Sequence, residues 1–495
     1  METYDVAVVG LGPVGVALCN LLAGSGLRVA GFDAFEGPYS LPRATHLDGQ
    51  ALRILQNLGV SDSLEPTLGV YTRMRFVNAG GDLLIDWPRS IEEGWQAWRD
   101  SNRFHQPALE TVLRDAAARY SNLSLHLGHR IDALGQDDAG VTFVARPGAG
   151  EARPVRARYV VGCDGANSTV RAAIGGELEI LGRPEQWLVV DLIANPGAPP
   201  LPEGTVQYCD PTRPITYIEA VGSRRRWEVM LSPGDDPDRF AEPANVWSLI
   251  SRWLTPDDAV IERAVVYTFR SVVAPTWRSG RLLLAGDAAH QTPPFLGQGL
   301  CAGLRDAANL AWKLAWLARG EAPESLLDTY QTEMEPHVRA YIAEANRIGA
   351  IIQERDPDRA RQRDNTLRAS PQVLQSARPR LGAGLSEDAA EPAATLSAQP
   401  RLADGRRLDE IAPYGFILLA APGFTAGVSA ATRALWRRAG VTVVEGEAGQ
   451  WLESLGRRAV LIRPDRYILG AADDLAQLEA ITARLPLLAE DALCA

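Results

Sequence analysis

The sequence predicts an α/β fold in which a mostly parallel first domain is interrupted by an antiparallel β-sheet. Two observations carry this prediction. Strand and helix patterns alternate over residues 1–175 and return at residues 276–353, which is typical of β-α-β units. Residues 176–275 instead show short runs of alternating apolar and polar residues separated by Pro and Gly, which indicates an antiparallel sheet.

The first predicted strand and helix are joined by a glycine-rich turn. Residues 4–9 are apolar and β-branched, and Gly10, Gly12 and Gly15 follow in the pattern G-x-G-x-x-G. A second strand over residues 28–32 ends at Asp33. In such a unit the glycines let backbone N–H groups approach a pyrophosphate, and the acid accepts hydrogen bonds from a ribose. The unit therefore predicts a dinucleotide site, although the glycines alone would also suit a turn without a ligand.

Two later turns carry an aspartate directly after a buried strand. Asp164 follows the strand at residues 158–162, and Gly286 and Asp287 follow the strand at residues 281–285. Carboxylates at these places can accept hydrogen bonds from sugar or ribityl hydroxyls, and the loop 293–299 then opens a helix whose N-terminus favours an anionic flavin ring. Together the three turns predict one extended dinucleotide, FAD. Each of the three turns, taken alone, could also have a purely structural role. For His290, which follows the last of these turns, a structural role is the interpretation that we favour.

The rest of the chain divides by its local pattern. Helices are expected over residues 44–59 and 106–120, and residues 354–400 are expected to form a connector. Residues 401–495 predict a small thioredoxin-like module without a C-x-x-C motif. Further strands are predicted at residues 187–193, 205–209, 215–220 and 226–231 in the inserted sheet, and at 415–420, 441–444 and 459–469 in the module, with a helix at 475–485.

Composition excludes several classes of function. A formal net charge of -11 leaves no basic surplus for nonspecific nucleic-acid binding. The five cysteines are scattered and odd in number, so we expect no disulfide framework and no metal centre, and a reducing, cytoplasmic location. The first strand begins directly at the N-terminus, which leaves no room for a signal peptide, and no apolar run is long enough for a membrane span.

These motifs together resemble those of the class A flavoprotein monooxygenases, the single-component aromatic hydroxylases. The resemblance rests on G-x-G-x-x-G, on the Asp-Gly turn at Asp164 and on the segment G-D-A-A-H-x-x-P-P-x-x-G-Q-G at residues 286–299. It implies a p-hydroxybenzoate-hydroxylase-like fold over essentially the whole chain. Further segments resemble the branch that hydroxylates 3-(3-hydroxyphenyl)propionate, namely residues 41–44, 186–191, 209–214, 305–314 and 463–467.

The resemblance implies a set of FAD-binding positions. The three glycines would seat the pyrophosphate and Asp33 the adenosine ribose, while Asp287 would hold the ribityl chain. Asp164 would serve both FAD and the docking of a nicotinamide. The full set is Gly10, Gly12, Pro13, Val14, Gly15, Asp33, Arg43, Gln106, Asp164, Gly286, Asp287, Pro294, Gly297, Gln298, Gly299 and Leu300.

The resemblance also implies a reaction. NADH or NADPH would reduce FAD, which would react with O2 and deliver one oxygen atom to a phenol, ortho to its hydroxyl group. The sequence leaves open which nicotinamide is used, because no separate nicotinamide fold is visible. A homodimer is expected from the same resemblance.

The aromatic substrate is expected between the flavin and the inserted sheet. Alternation puts Tyr217 and Glu219 on one face of a strand, and a guanidinium such as that of Arg213 suits a substrate carboxylate. The candidate substrate and catalytic residues are Tyr208, Arg213, Tyr217, Glu219 and His46, with His105 as a further candidate for a proton relay. Core packing for the tyrosines and a surface ion pair for Arg213 are the competing interpretations.

Other functions fit the same motifs. A hydroxylase for a larger polyketide or antibiotic-type aromatic would use the same scaffold. A flavin halogenase is disfavoured because its Trp-x-Trp-x-Ile-Pro signature is absent. A non-catalytic flavin-binding redox sensor is disfavoured by the loop 293–299, which serves the reactive ring rather than the adenine half.

Overall fold

The computed structural model describes residues 2–38, 43–386 and 390–488. Within them the strands are β1 (Glu2–Val9), β2 (Val29–Phe32), β3 (His46–Asp48), β4 (Gly69–Val70), β5 (Arg73–Asn78), β6 (Leu83–Pro88), β7 (Ser101–Arg103), β8 (Leu123–His126), β9 (His129–Asp137), β10 (Gly140–Pro147), β11 (Arg153–Gly162), β12 (Glu179–Ala194), β13 (Thr205–Cys209), β14 (Ile215–Glu219), β15 (Arg224–Met230), β16 (Ala259–Val273), β17 (Arg278–Ser279), β18 (Leu282–Leu284), β19 (His290–Gln291), β20 (Ile417–Ala420), β21 (Thr442–Glu445), β22 (Ala459–Ile462) and β23 (Ile468–Ala472). The α-helices are α1 (Pro13–Gly24), α2 (Gly49–Asn57), α3 (Ser61–Leu64), α4 (Gln106–Ala117), α5 (Thr169–Ile174), α6 (Pro237–Phe240), α7 (Pro243–Ile250), α8 (Gly299–Ala318), α9 (Asp328–Ile352), α10 (Pro357–Ala369), α11 (Leu408–Ile411), α12 (Ala430–Ala439), α13 (Gly449–Leu455) and α14 (Leu475–Thr482).

The first sheet has the strand order β17-β18-β11-β1-β2-β8, and β18, β11, β1, β2 and β8 run parallel. Its central strands are apolar on both faces, and Val6, Val8, Val29 and Leu283 are fully buried. Parallel strands need such runs because helices cover both faces of the sheet. The sequence-predicted helix at 44–59 is shorter than expected, because residues 46–48 pair with β7 and α2 begins only at Gly49.

The second sheet has the order β19-β16-β12-β15-β14-β13-β5-β6 and contains the four strands predicted in the insert. The sheet also includes the β5–β6 hairpin, because β5 pairs in parallel with β13. The local sequence pattern assigns these residues to the first domain. A pairing between strands this far apart in the chain cannot be predicted from the local sequence pattern.

The two faces of the second sheet have different neighbours. The outer face packs Leu188 and Trp227 against Val246 and Ile250 of α7. The inner face packs its apolar residues against the turn at 294–296 and against α9; this cluster includes Trp187, Met230, Phe295 and Ile348. Only the inner face therefore borders the loop that was predicted to approach a flavin.

The C-terminal module forms a sheet of order β21-β20-β22-β23, with β20 and β21 parallel and β22 antiparallel to β20. The single strand predicted at residues 459–469 is wrong: β22 and β23 form a hairpin there. The helix α13 was not predicted, and likeness to thioredoxin stays a prediction. The connector begins with the helix α10.

Buried ion pairs fix the module to the first domain. Asp409 of α11 accepts hydrogen bonds from Arg53 of α2 at 2.8 and 2.9 Å and from Arg466 at 2.8 Å. All three side chains are almost fully buried. No helix among residues 2–38, 43–386 and 390–488 is both long and apolar enough to cross a membrane.

Candidate dinucleotide site and adjoining cavity

The predicted motifs meet at one edge of the first sheet. Gly10 follows β1, Asp33 follows β2, Asp164 follows β11 and Gly286 follows β18. These four strands are adjacent and parallel, so their carboxyl ends lie side by side. Open α/β sheets bind ligands at this edge. The fold thus brings together residues that are separated by most of the chain.

Each position of the first turn has a different steric reason for carrying glycine. Gly10 has a φ of +91°, and a Cβ there would lie 2.5 Å from the carbonyl oxygen of Cys163. A Cβ on Gly15 would lie 1.9 Å from the carbonyl oxygen of Gly10. Gly12 caps α1, and apart from its chain neighbours no atom of the part of the chain that the structure describes lies within 4 Å of the place where its Cβ would be. Two glycines therefore serve packing, and Gly12 leaves room for a ligand beside the helix N-terminus.

The two acids at this edge already bind backbone groups of their own turns. Asp33 accepts hydrogen bonds from the backbone N–H of Leu11 at 2.6 Å and of Phe35 at 2.8 Å. Asp164 accepts from the Ser168 hydroxyl at 2.5 Å and the Thr169 N–H at 2.7 Å, at the start of α5. Burial raises the pKa of the Asp164 carboxyl, although these donors oppose the shift. Their predicted contacts with FAD and a nicotinamide stay predictions.

The Gly286–Asp287 turn lies against the start of α1. Gly286 has a φ of +62°, and a Cβ there would contact Val14, which also packs against Gly303 of α8. A Cβ on Gly303 would lie 2.5 Å from Val14 Cγ2, so α8 and α1 pack closely. Asp287 keeps an exposed side chain, while the surrounding protein raises the pKa of its carboxyl by desolvation.

His290 has the structural role that was favoured for it. Its Nε2 lies 2.6 Å from Oδ2 of Asp306, and both side chains are buried. The same oxygen accepts the N–H of Gly286 at 2.9 Å. Burial alone would lower the pKa of His290, but Asp306 outweighs this and raises it. Asp306 was not predicted as a site residue, although it lies in the segment 305–314 that carried part of the family resemblance.

Gln106 positions the backbone beside the site. Its Oε1 accepts the N–H of Arg43 at 3.0 Å and of Ala44 at 2.9 Å, and its Nε2 donates to Glu110 at 2.8 Å. The Arg43 carbonyl accepts from Arg226 at 2.8 Å, and the Arg43 side chain is exposed. Direct contact of Arg43 and Gln106 with FAD stays a prediction. Leu41 and Pro42, which shared the resemblance of this segment, lie outside the described residues.

The loop before α8 contacts His46. Gly297 has a φ of +64°, and a Cβ there would lie 2.9 Å from the Cβ of His46. The Nδ1 of His46 lies 3.3 Å from the Gly297 carbonyl oxygen. The Gln298 side chain accepts a hydrogen bond from Arg305 at 3.1 Å. Three other predicted positions also lie in this stretch: Pro294 in the turn, Gly299 at the start of α8 and Leu300 one residue later.

A cavity of about 330 Å³ opens beside this loop. Its wall takes residues from the loop, from α9, from the connector and from the C-terminal module, and includes His46, Trp87, Leu296, Gln298, Tyr341 and Tyr467. This volume lies at the small end of the range for ligand sites. The cavity can therefore enclose a small aromatic molecule.

His46 lines this cavity and has one ring nitrogen without a partner among the described residues. Burial lowers the pKa of His46 to about 4, although Asp48 opposes the shift, so the ring is neutral at pH 7. A carbonyl oxygen only accepts, so Nδ1 carries the proton toward Gly297 and Nε2 keeps its lone pair. This arrangement suits acceptance of a hydrogen bond from a hydroxyl group of a bound molecule.

The four candidates in the inserted sheet do not reach this cavity. Tyr217 lies on the outer face and packs against Trp227 with ring centres 5.0 Å apart, and Tyr208 accepts a hydrogen bond from Trp253 at 3.2 Å. Alternation placed Tyr217 and Glu219 together correctly but could not say which face points inward.

The other two candidates of the inserted sheet, Glu219 and Arg213, also have partners within that sheet domain. Glu219 accepts the N–H of Gly204 at 2.7 Å. Arg213 pairs with Asp235 and donates to the Met230 carbonyl at 3.2 Å. These contacts agree with the competing interpretations, which were core packing for the two tyrosines and an ion pair for Arg213. His105 is half-buried beside Gln106 and does not line the cavity.

Comparison with known proteins identifies the family. Residues 3–345 match the family described as FAD binding domain. The chain belongs to this FAD-binding family. The predicted resemblance, the α/β fold and FAD as cofactor are confirmed.

Curated relatives of this FAD-binding protein cover nearly its whole length. A probable NADH-specific resorcinol 4-hydroxylase of Rhodococcus jostii (strain RHA1) is 36% identical over 98% of this chain and 95% of its own. A 3-(3-hydroxy-phenyl)propionate/3-hydroxycinnamic acid hydroxylase of Burkholderia vietnamiensis (strain G4 / LMG 22486) is 34% identical over 95% of this chain and 94% of its own.

Solved structures share the fold. Aklavinone-11 hydroxylase, in a ternary complex with FAD and aklavinone, superposes with a TM-score of 0.81 at 24% identity, covering 98% of this chain and 99% of its own. The flavin-dependent monooxygenase PieE superposes with a TM-score of 0.83 at 23% identity, covering 98% of both chains. At this identity the likeness concerns the fold alone.

Proposed function

We propose that this protein is an FAD-dependent monooxygenase that hydroxylates a small phenol, ortho to its hydroxyl group, with NADH and O2. The observation that carries the proposal is the unpartnered Nε2 of the neutral His46, a residue that lies beside the loop of an FAD-binding fold and lines the cavity there. The resorcinol and hydroxyphenylpropionate hydroxylases among the relatives support a phenol as substrate, and one of them is named NADH-specific.

The residues at the sheet edge fit FAD. Gly12 leaves room for a pyrophosphate at the N-terminus of α1, and Asp33 lies at the end of the neighbouring strand, where a ribose would be held. Asp287 would hold the ribityl chain, and the turn from Pro294 to Leu300 would border the ring. Bound FAD supplies the redox chemistry that activates O2.

The protein's own contribution to the reaction is to hold and polarise the phenol. The Gly297 carbonyl fixes the tautomer of His46, so that Nε2 accepts a hydrogen bond from the phenol hydroxyl, which orients the phenol and increases the electron density of its ring. The apolar side chains of Trp87 and Leu296 exclude water from the same cavity. His46 is therefore the catalytic residue of this proposal.

The size of the cavity favours a small substrate. About 330 Å³ suits a single aromatic ring with a short substituent, which supports a substrate of the resorcinol or hydroxyphenylpropionate type. A larger polyketide-type aromatic is the second candidate, because enzymes acting on such molecules share this fold. A homodimer and a cytoplasmic location are further parts of the proposal, and light scattering after size exclusion tests the dimer.

The test uses purified protein loaded with FAD. NADH and NADPH oxidation is followed with a panel of phenols that includes resorcinol and 3-(3-hydroxyphenyl)propionate, and hydroxylated product is quantified beside released peroxide. Stimulated NADH oxidation with nearly one product per NADH supports the proposal. Slow oxidation that gives only peroxide across the panel points to the larger substrate, and no oxidation by the FAD-loaded protein would indicate the non-catalytic flavin-binding role.

A further inference from the structure

The hairpin turn of the C-terminal module is buried inside the first domain. Arg463, at the end of β22, donates to Glu333 of α9 through two bonds of 2.7 Å and to Asp465 at 2.7 Å. Glu333 also accepts from Lys313 of α8 at 2.7 Å. These four side chains are buried almost completely. Such paired charges hold the turn in one position, because breaking any pair would leave a buried charge uncompensated.

Tyr467, two residues after Asp465, lines the cavity beside the loop. The residue is buried, although it belongs to the module rather than to either of the other domains. Its hydroxyl lies 2.8 Å from Nε2 of His337 on α9 and accepts from Gln50 of α2 at 3.3 Å. The module therefore supplies one wall of the candidate substrate cavity and contacts a second wall residue there.

The His337 ring is buried and neutral, and one of its two nitrogens has no hydrogen-bond partner among the described residues. Burial lowers the pKa of His337 well below its ordinary value, and the nearby Arg305 adds to the shift. Because Gln50 can only donate to Tyr467, the single hydroxyl proton of Tyr467 is free to go to Nε2 of His337, which places the ring proton on Nδ1. Nδ1 has no hydrogen-bond partner among the described residues. A buried donor of this kind calls for an acceptor, since leaving it unpaired costs about 1–3 kcal/mol.

Among the described residues, the wall arginine Arg89 forms no ion pair with an acid. The guanidinium of Arg89 stacks on Trp87 at 3.4 Å and donates to the Ser376 hydroxyl at 3.1 Å, and its Nε has no partner among the described residues. The other two arginines of the wall pair with acids of the wall, Arg305 with Asp48 and Arg378 with Asp100 at 3.7 Å, while Glu344 pairs with Arg347 at 2.7 Å. An acidic substituent of a ligand would give Arg89 a charged partner.

From these contacts we infer that His337, oriented by Tyr467 of the C-terminal module, binds an acidic oxygen substituent of the substrate through its Nδ1–H. The inference rests on the proposed function, because it assigns a second part of the same cavity. His46 and His337 then recognise opposite chemical groups: the first accepts a hydrogen bond from the phenol hydroxyl, and the second donates one to a carboxylate elsewhere on the same molecule. The C-terminal module thereby contributes to the selection of substrates that carry an acidic group, without any redox chemistry of its own.

The test compares two ligands that differ only in the acidic group. Isothermal titration calorimetry of the FAD-loaded protein gives the Kd of 3-(3-hydroxyphenyl)propionate and of 3-propylphenol. The variants are Tyr467→Phe, which frees the His337 tautomer, and His337→Phe, which removes the donor. Tyr414→Phe is the matched control, since Tyr414 is a half-buried tyrosine of the module whose hydroxyl bonds to Ala308 and Trp312 of α8 and which does not line the cavity.

The expected result is a selective loss. Tyr467→Phe and His337→Phe should raise the Kd of the acid roughly 10-fold, or about 1.4 kcal/mol, and change that of 3-propylphenol by less than about 2-fold, since one hydrogen bond to a charged group is lost. Tyr414→Phe should leave the ratio of the two Kd values unchanged. Equal weakening of both ligands, or no change, would overturn the inference. Selective binding of the acid without hydroxylation of any phenol would instead overturn the proposed function.

Discussion

The substitution Gly12→Ala separates cofactor binding from folding. A Cβ at this position would meet no atom of the described residues within 4 Å, its chain neighbours apart, and the backbone has a φ of -66°, which alanine adopts readily. The apoprotein should therefore keep its stability or gain about 0.4–1 kcal/mol, because alanine reduces the conformational freedom of the unfolded chain. The group that we expect the new methyl to displace is the proposed FAD pyrophosphate.

The expected loss of FAD affinity follows from the hydrogen bonds at risk. Displacing the pyrophosphate from two backbone N–H groups at the start of α1 would remove about 1.5 kcal/mol for each, or about 3 kcal/mol in total. This corresponds to a Kd for FAD raised roughly 100-fold. The stabilisation that FAD gives to the folded protein at a fixed FAD concentration should shrink by a similar free energy.

The assay combines FAD titration by flavin fluorescence quenching with thermal denaturation of the apoprotein. Gly15→Ala serves as the control, since its Cβ would lie 1.9 Å from the Gly10 carbonyl oxygen, so this variant should lose stability before any cofactor is added. An unchanged Kd for FAD in Gly12→Ala would show that the space beside Gly12 is not the phosphate site. A destabilised Gly12→Ala apoprotein would refute the steric reasoning itself.

Three further predictions follow from individual side chains. His46→Asn should lower the kcat for hydroxylation about 10-fold with little change in FAD content, measured by product chromatography, because it removes the ring nitrogen that orients and polarises the phenol through a hydrogen bond; an unchanged kcat would contradict this role. The pKa of His46 falls from 6.5 to about 4 on folding, so the unfolded chain binds more protons between these values. The free energy of unfolding should therefore decrease as the pH is lowered through this window, by up to about 3 kcal/mol. Denaturant titrations between pH 4 and 7 should show this decrease in the difference between wild type and His46→Asn, and a flat difference would be the contrary result. Asp409→Ala should destabilise the protein by about 3–5 kcal/mol in thermal denaturation, because Arg53 and Arg466 would keep buried, uncompensated charges. The exposed Asp404→Ala should cost under about 1 kcal/mol, and equal effects of the two variants would refute the argument.

The features that the sequence predicted well are those encoded by neighbouring residues. The strand, glycine turn and helix around Gly12 lie within a few residues of one another, so the pattern alone indicates both the structure and its ligand. The strands at residues 205–209 and 215–219 were equally visible from alternation. Alternation groups Tyr217 with Glu219, but the direction of their face depends on α7 packing behind the sheet.

The features that the sequence could not predict depend on contacts between distant segments. Tyr467 and His337 are 130 residues apart and meet only because the hairpin turn of the module is buried against α9. The segment 463–467 was noticed as part of the family resemblance, yet no local pattern indicates that it borders a cavity. The same holds for Arg89, which directly follows β6, a strand that joins the second sheet only through β5.

The arrangement of four turns at one sheet edge has a consequence during synthesis. The turn at Gly10 and the turn at Gly286 are made roughly 15 s to a minute apart, at typical rates of about 5–20 residues per second. Until β18 is made, the edge of β11 that it will cover stays open, and the acid that would hold the ribityl chain does not yet exist. FAD therefore cannot stabilise the early chain, and an unpaired strand edge of this kind needs protection from aggregation until more than half of the protein has left the ribosome.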